Sequence, residues 1–185
     1  MQIISGVFKG RRIKFPKHIR PTQNKVRKAI FDCLGDFALG ASFLELFAGS
    51  GAVGIEALSR GAKEAVFVDS DAACLRAIES NLRYLSLPRF RLCEMDSLGA
   101  IDFFAEEKSS FDIIFLDPPY AKGLELKKCL LKIAGCGILT PLGIVISQHQ
   151  RKVELPEEAG NGPGRSLLLF KQKRYGDTLL SFYRR

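Results

Sequence analysis

The four residues Asp117-Pro118-Pro119-Tyr120 carry the chemical groups needed to hold the amine of a nucleobase beside an activated methyl group. Such an amine is a poor nucleophile because its lone pair is delocalised into the ring. The Asp117 carboxylate and the Pro118 carbonyl can accept its two N–H bonds and so aim the lone pair, and the prolines fix φ, which pre-sets the direction of that carbonyl. Tyr120 offers a face on which a flipped base stacks. The motif therefore predicts methylation of a base amine, with a rigid surface turn as the alternative.

A second group of residues has the spacing of a nucleoside-binding turn. Gly49, Gly51 and Gly54 form G-x-G-x-x-G between an apolar run and a helical pattern. The glycines allow a tight turn, and the helix N-terminus offers free N–H groups to a ligand. Asp69 follows the next strand, where it is placed to accept hydrogen bonds from ribose hydroxyls. Both NAD and S-adenosylmethionine satisfy these features.

Two further acids favour S-adenosylmethionine over NAD. Glu45 lies inside the first predicted strand, where a buried carboxylate is costly unless a cation pairs with it, and the amino group of a methionine moiety is suitable. Asp96 follows the third predicted strand, where it either accepts a hydrogen bond from an adenine amino group or caps the next helix. The residues predicted to bind S-adenosylmethionine are Glu45, Phe47, Gly49, Gly51, Gly54, Asp69 and Asp96.

Positive charge is concentrated at the two ends of the chain. The net charge is +8, and residues 1–31 carry nine Lys or Arg and no acid, residues 32–164 a net −6, and residues 165–185 a net +5. This distribution favours a polyanion-binding face over a uniformly solvated surface. Arg27 is the exception to consider, because it lies on a predicted helix and could instead pair with an acid of the main body. The residues predicted to bind nucleic acid are Lys9, Arg11, Arg12, Arg20, Thr22, Lys25 and Arg27.

Short apolar runs alternate with helical patterns along most of the chain, which predicts an α/β fold. The predicted strands are 43–46, 65–68, 90–93, 111–116 and 143–147, and the predicted helices are 52–60, 72–85, 98–107 and 124–133. Helical connections force parallel pairing, with helices on both faces of the sheet. The last two strands, 167–173 and 178–183, have only a turn between them and form an antiparallel hairpin. We therefore expect a mostly parallel seven-stranded sheet.

The N-terminal residues precede this pattern and are predicted to form a small extension. A β-hairpin pairs 3–4 with 13–15, and a helix follows with Thr22 as its N-cap. The expected domains are thus a basic RNA-binding extension, 1–35, and a catalytic domain, 36–185.

Composition excludes several other classes of protein. No run of about 18 apolar residues is present to span a bilayer, and the first residues lack a secretory signal, so we expect a cytoplasmic protein. Five cysteines without a C-x-x-C pair argue against both a disulfide framework and a metal site. We expect a monomer that acts without a metal ion or a membrane.

The sequence resembles class I S-adenosylmethionine-dependent methyltransferases, and most of all the bacterial 16S rRNA (guanine-N2)-methyltransferases of the RsmD type. The similarity extends over nearly the whole chain and is carried by 3–6 with 9–11, 20–22 with 26–27, 46–51, 56–62, 117–120 and 175–178. It implies a Rossmann-like methyltransferase fold and methylation of one guanine N2 in 16S rRNA, with 30S particles as substrate. The chain departs from the family's pattern at Asn24-Lys25, where members usually carry Asp-Arg.

Two other functions remain open from the residues. A DNA adenine-N6 methyltransferase can share the motif at Asp117, and a non-catalytic RNA-binding factor for ribosome assembly can retain the fold. Binding of S-adenosylmethionine together with methyl transfer to rRNA separates the enzyme from the assembly factor.

Overall fold

A computed structural model describes residues 1–87, 89–119, 123–160, 162 and 164–185. They form two compact units, Met1–Met95 and Asp96–Arg185. The boundary expected after residue 35 does not divide compact units, because residues 1–35 belong to the first unit together with the residues that follow them.

The first unit is built around three parallel strands connected by two helices. The strands are β1 Ser42–Leu46, β2 Glu64–Asp69 and β3 Phe90–Glu94. They have the order β3-β2-β1, with Leu44 opposite Val66 and Phe67 opposite Leu92. Strands β1 and β2 are buried along nearly their whole length, as expected for a parallel sheet. The alternation of apolar runs predicts all five elements to within one residue at each end. They are β1 Ser42–Leu46, α2 Ala52–Ser59, β2 Glu64–Asp69, α3 Ala72–Tyr84 and β3 Phe90–Glu94.

The N-terminal part of the first unit contains less regular structure than predicted. The expected hairpin is reduced to one antiparallel bridge between Gln2 and Arg12. Helix α1 covers Asn24–Leu34 and a 3₁₀ turn follows at Gly35–Ala38. The N-cap position of α1 is Gln23, without a side-chain hydrogen bond, so the prediction of Thr22 as N-cap is wrong.

The second unit combines one parallel strand pair with an antiparallel end. Its elements are α4 Ser97–Glu106, β4 Phe111–Leu116, α5 Gly123–Gly135, β5 Leu139–Gln150, β6 Glu158–Gly160, β7 Ser166–Tyr175 and β8 Thr178–Arg184. Strands β4 and β5 are parallel, and β5, β8, β7 and β6 follow one another in antiparallel pairs. Two differences from the expectation are found. The described residues contain eight strands rather than seven, because β6 forms in a stretch for which no strand is predicted, and β5 is longer at both ends.

Membrane-spanning helices are not found among the described residues, since none of their helices combines sufficient length with sufficient apolar character.

Candidate active site

The turn between β1 and α2 has an unusual backbone. Phe47, Gly49 and Gly51 have φ values of 60°, 51° and 65°, in the left-handed region. Only glycine reaches this region without strain, so Phe47 holds a conformation that costs about 1–3 kcal/mol and that is typical of functional sites. A Cβ on Gly51 would lie 2.7 Å from Ile78 Cγ1, whereas the nearest atom to one on Gly49 would be Ile19 Cγ2, at 3.5 Å. Both glycines are therefore required by the backbone, and Gly51 by packing as well.

The third glycine of the turn serves the packing of α2 on the sheet. Gly54 lies inside α2, where a Cβ would come within 2.4 Å of the Phe67 ring and 2.7 Å of Glu45 Oε2. Because Gly54 is buried and these two groups occupy the space beside its Cα, the residue is not open to a ligand on that side. The structure thus gives this predicted cofactor residue a different reason for being glycine.

Glu45 finds its partners inside the protein. Its side chain is 2% exposed, and the carboxylate accepts hydrogen bonds from the backbone N–H of Gly54 at 2.8 Å and of Val53 at 3.4 Å. These donors belong to the N-terminal turn of α2, where negative charge is favourable. The N–H groups of Val53 and Gly54, expected to be free for a ligand, are therefore engaged. The carboxylate does not depend on the ammonium group of a ligand, and its charge also acts on Arg27.

Asp69 links the end of β2 to the glycine turn. Its Oδ2 accepts a hydrogen bond from Gly49 N at 2.6 Å, and its Oδ1 accepts one from Asp71 N at 2.9 Å. The side chain is only half-buried, and each carboxylate oxygen has capacity for a further hydrogen bond. Asp69 can therefore fix the turn and still accept a hydroxyl group of a ribose.

Asp96 is the N-cap residue of α4. Its Oδ1 accepts a hydrogen bond from Gly99 N at 2.9 Å, so the capping role considered for this residue is present. The residue is exposed, and Oδ2 makes no hydrogen bond within the part of the chain that the structure describes. That oxygen is available to an exocyclic amine.

Asp117 lies directly after β4, at the end where ligands bind in open α/β sheets. The residue is half-buried, and its Oδ2 accepts a hydrogen bond from Gln148 Nε2 at 2.9 Å. Pro118 is buried and Pro119 is exposed. Tyr120, the predicted stacking residue, lies outside the described residues. The structure thus presents a carboxylate whose direction is set by a side-chain amide.

Gln148 is absent from the predicted site residues because the fifth strand is expected to end at residue 147. The sequence does contain a signal, since the apolar run of β5 continues into the polar residues 147–150. These residues pair with β8 and are mostly buried. Gln148 in particular contacts Asp117, and its burial at the carboxyl end of a strand needs a reason, since burying polar groups is costly.

The predicted nucleic-acid-binding residues are mostly accessible. Arg11 is held near α3, with Nη1 donating to Tyr84 Oη at 3.4 Å. Thr22 is half-buried. The exposed residues are Lys9, Arg11, Arg12, Arg20 and Lys25.

The prediction that Arg27 binds nucleic acid is wrong, because this residue is fully buried and cannot reach a phosphate. Its Nε lies 3.5 Å from Glu56 Oε2. Its guanidinium donates to Gln2 O and, at 3.2 Å, to Asn24 Oδ1. Burial lowers the pKa of Arg27, and the negative charges of Glu56 and Glu45 oppose that shift. The residue pairs with an acid of the main body, as a buried arginine must.

The basic N-terminal segment, residues 1–20, is hydrogen-bonded to α2 and α3. The Glu56 carboxylate, 1% exposed on α2, accepts hydrogen bonds from Ile4 N at 2.8 Å and Ser5 N at 2.9 Å. On α3, Asn81 accepts from Lys14 N at 2.9 Å and donates to Lys14 O at 2.6 Å. The segment is therefore a docked part of the first unit rather than a loose arm.

A cluster of His18, Asp71 and Cys74 has three potential metal-ligand atoms within 4.8 Å of one another. The groups are already hydrogen-bonded, with Asp71 Oδ2 2.8 Å from His18 Nε2 and 3.4 Å from Cys74 Sγ. A hydrogen bond from Ala73 N and the contact with His18 lower the pKa of Asp71. Burial raises the pKa of Cys74 to about 12, so its thiol stays protonated. The arrangement is that of a capped helix start at α3.

Comparison with known proteins gives matches over the whole chain. The family model described as conserved hypothetical protein 95 matches residues 1–184. The "Putative rRNA methyltransferase YlbH" of Bacillus subtilis (strain 168) is 38% identical over 188 residues, which cover 100% of this chain and 99% of that protein. The "Ribosomal RNA small subunit methyltransferase D" of Escherichia coli (strain K12) is 30% identical over 187 residues, which cover 100% and 90%.

A solved structure gives the same result for the fold. The "Putative methyltransferase yhhF from Escherichia coli" matches with a TM-score of 0.84 and 30% identity, covering 100% of this chain and 97% of that one. The family and the Rossmann-like α/β fold inferred from the motifs are thereby confirmed. Over its whole length the chain belongs to the conserved hypothetical protein 95 family and has the fold of the methyltransferases.

Proposed function

We propose that this chain transfers a methyl group from S-adenosylmethionine to the exocyclic N2 amine of one guanine in 16S rRNA, within the 30S particle in the cytoplasm. Its relatives in B. subtilis and E. coli carry the names of rRNA methyltransferases, which supports rRNA as the substrate. The observation that carries the choice of an amine is the Asp117 carboxylate, held by Gln148 at the end of β4 and followed by two prolines.

The residues of the glycine turn fit a nucleoside cofactor. A Cβ on Gly49 would meet no atom closer than 3.5 Å, and its N–H already orients Asp69. Asp69 can accept hydrogen bonds from hydroxyl groups of the ribose with its remaining lone pairs, and Asp96 Oδ2 can accept a hydrogen bond from the adenine amino group. The strained Phe47 lies in the turn, which Glu45, Gly51 and Gly54 shape. When bound, S-adenosylmethionine supplies a methyl group that its sulfonium has already activated.

The residues after β4 position the acceptor. Asp117 accepts one N–H bond of the guanine amine, and the carbonyl of Pro118 accepts the other, so the nitrogen lone pair is aimed at the methyl group. Such orientation accounts for a large share of the rate in a reaction between two bound groups. Tyr120 remains the predicted stacking residue for the base.

The exposed bases of the N-terminal segment supply contacts to RNA phosphates. These contacts position the enzyme on its substrate and carry no sequence information. Because Glu56 and Asn81 dock the segment onto α2 and α3, these charges have fixed positions within the first unit. Specificity then comes from the folded shape of the particle.

The reaction is tested by incubating the protein with labelled S-adenosylmethionine and 30S particles, naked 16S rRNA or duplex DNA, followed by digestion to nucleosides. We expect N2-methylguanosine from the 30S particles. Labelled N6-methyladenine from DNA would favour the DNA enzyme. RNA binding without methyl incorporation would favour the assembly factor.

An Asp117→Ala variant tests the site. A hydrogen bond to a charged group is worth about 1.5–3 kcal/mol, so turnover should fall roughly 10- to 150-fold with unchanged affinity for S-adenosylhomocysteine. The matched control is Asp36→Ala, which removes an exposed aspartate in the 3₁₀ turn Gly35–Ala38 and should retain full activity. Full activity of the Asp117 variant would contradict the assignment.

A salt titration tests the basic segment. A variant with Arg11, Arg12 and Arg20 changed to Ala should lower the log–log salt slope of 30S binding by about 0.7–0.9 for each phosphate that is no longer neutralised. The control variant removes Lys28 and Arg83, which already pair with acids at 2.8 Å and 2.7 Å. Equal slopes for wild type and the triple variant would mean that the segment is only a solvated surface.

A further inference from the structure

Gln148 places a buried amide beside the Asp117 carboxylate. It lies on β5, opposite Leu180 of β8, and is 7% exposed. Its Nε2 donates to Asp117 Oδ2 at 2.9 Å. Its Oε1 is buried and has no hydrogen-bond partner among the residues that the structure describes.

A buried carbonyl without a partner is unfavourable for folding. A methionine has nearly the shape of glutamine and would occupy the same volume without burying that oxygen. What glutamine offers at this position and methionine does not is an N–H group that donates a hydrogen bond to Asp117. The amide is oriented by that contact, since an ionised carboxylate can only accept and therefore meets the nitrogen side.

Gln150 provides an internal comparison. It lies two residues further along β5, on the same face of the strand, and its Oε1 is also buried without a partner among the described residues. The hydrogen bond to Asp117 comes from Gln148 and not from Gln150. A buried amide oxygen on β5 is thus common to both residues, although Gln150 as a whole is only half-buried, whereas contact with the carboxylate belongs to Gln148.

We propose that Gln148 is a positioning residue for methyl transfer, which holds the Asp117 carboxylate in the direction required by the substrate amine. This inference rests on the proposed function, because it assigns Asp117 to the acceptor. The N–H of Gln148 occupies one lone pair of Oδ2 and restricts rotation of the carboxylate. The carboxylate then keeps one direction, and the amine is bound without a search among carboxylate orientations.

The test compares Gln148→Met with Gln148→His and with the matched control Gln150→Met, using 30S particles and labelled S-adenosylmethionine. Gln148→Met removes the donor at nearly constant shape, and we expect kcat to fall about tenfold. KM for both substrates should stay within about twofold, and the thermal midpoint should not fall. Gln148→His restores an N–H donor and should recover most of kcat, and Gln150→Met should leave kcat unchanged.

Two outcomes would overturn the proposal: a Gln148→Met kcat within twofold of wild type, or an equal loss of kcat in Gln150→Met. If Gln148→Met does not fold, Gln148→Leu takes its place, because leucine also lacks the donor and has no polar atom to bury, and wild-type kcat in that variant would equally overturn the proposal. Failure of the proposed function itself is recognised separately, since the wild-type protein would then transfer no methyl group to the particles.

Discussion

Replacing Glu56 by Gln should cost the first unit much of its stability. The carboxylate is 1% exposed, accepts hydrogen bonds from Ile4 N, Ser5 N and Arg60 Nε at 2.8–2.9 Å, and faces the fully buried Arg27 at 3.5 Å. Exchange of one carboxylate oxygen for an NH₂ group would remove the charge and turn a donor toward other donors. Breaking a buried ion pair by removing one partner costs about 3–5 kcal/mol.

The expected loss lies at the lower end of that range, about 3 kcal/mol, because the charge of Glu45 also acts on Arg27. Domains are stable by only about 5–15 kcal/mol. For a chain of this size, 1 kcal/mol changes the melting temperature by about 2–4 °C, so the midpoint should fall by roughly 6–12 °C.

Thermal unfolding followed by circular dichroism is the appropriate assay, since the chain has no tryptophan to report unfolding by fluorescence. The matched control is Glu79→Gln. Glu79 also pairs with an arginine four residues later, Arg83, at 2.7 Å, but the two side chains are 39% and 74% exposed. Such a pair contributes about 0.3–0.5 kcal/mol. If Glu56→Gln destabilised the protein no more than Glu79→Gln, the account of Arg27 as a buried ion-pair partner would be refuted.

Three further predictions concern single residues. Gly54→Ala should lower the free energy of unfolding in urea by about 1–3 kcal/mol, because the added methyl group overpacks the interior. Gly135→Ala, where a Cβ meets nothing within 4 Å, should leave that free energy unchanged or raise it. Because burial raises the pKa of Cys74 to about 12 and of Cys129 to about 11, a thiol reagent at pH 8 should modify them only after unfolding; rapid labelling of the native protein, read by mass spectrometry, would contradict this. Burial lowers the pKa of His149 from 6.5, so the folded chain binds fewer protons than the unfolded chain below that pH. The free energy of unfolding should therefore fall as the pH decreases below about 6.5, and an unchanged pH profile in His149→Gln would show that another group is responsible.

Most of the elements can be predicted because their patterns are local. The strand Phe111–Leu116 has the ends that the sequence predicts, since a short apolar run between turn signals leaves few alternatives. The candidate site residues can be recognised for a similar reason, because polar residues and glycines that directly follow a predicted parallel strand lie at the end where ligands bind. Their place in the chain can therefore be read from the sequence without knowledge of side-chain geometry.

Arg27 shows where charge alone is a misleading signal. Its spacing to Ile30, Phe31 and Leu34 is that of one helix face, and all three are buried, so the helical period already indicates an inward position. Here the period outweighs the positive charge. The partner that makes burial possible, Glu56, lies on another helix, and the sequence contains no local signal for that pairing.

The ends of β5 and the strand β6 differ from the prediction for a related reason. Residues 147–150 are polar, and they are strand only because β8 pairs with them. Strand β6 has three residues, Glu158–Gly160, and exists through its pairing with β7. Tertiary pairing of this kind overrides β-propensity, and the same effect conceals the role of Gln148 in the sequence.

Burial separates the acids that build the turn from those that can serve a ligand. Glu45 and Glu56 are almost fully buried, and the partners that meet their charge come from within the first unit. The negative charge of these two carboxylates is therefore balanced without a ligand. Asp69 and Asp117 are half-buried; backbone N–H groups set the direction of the first, and a glutamine amide sets that of the second. Carboxylates that are oriented but still accessible can bind a hydroxyl or an amine at little reorganisation cost, and this is the property that the proposed reaction requires of them.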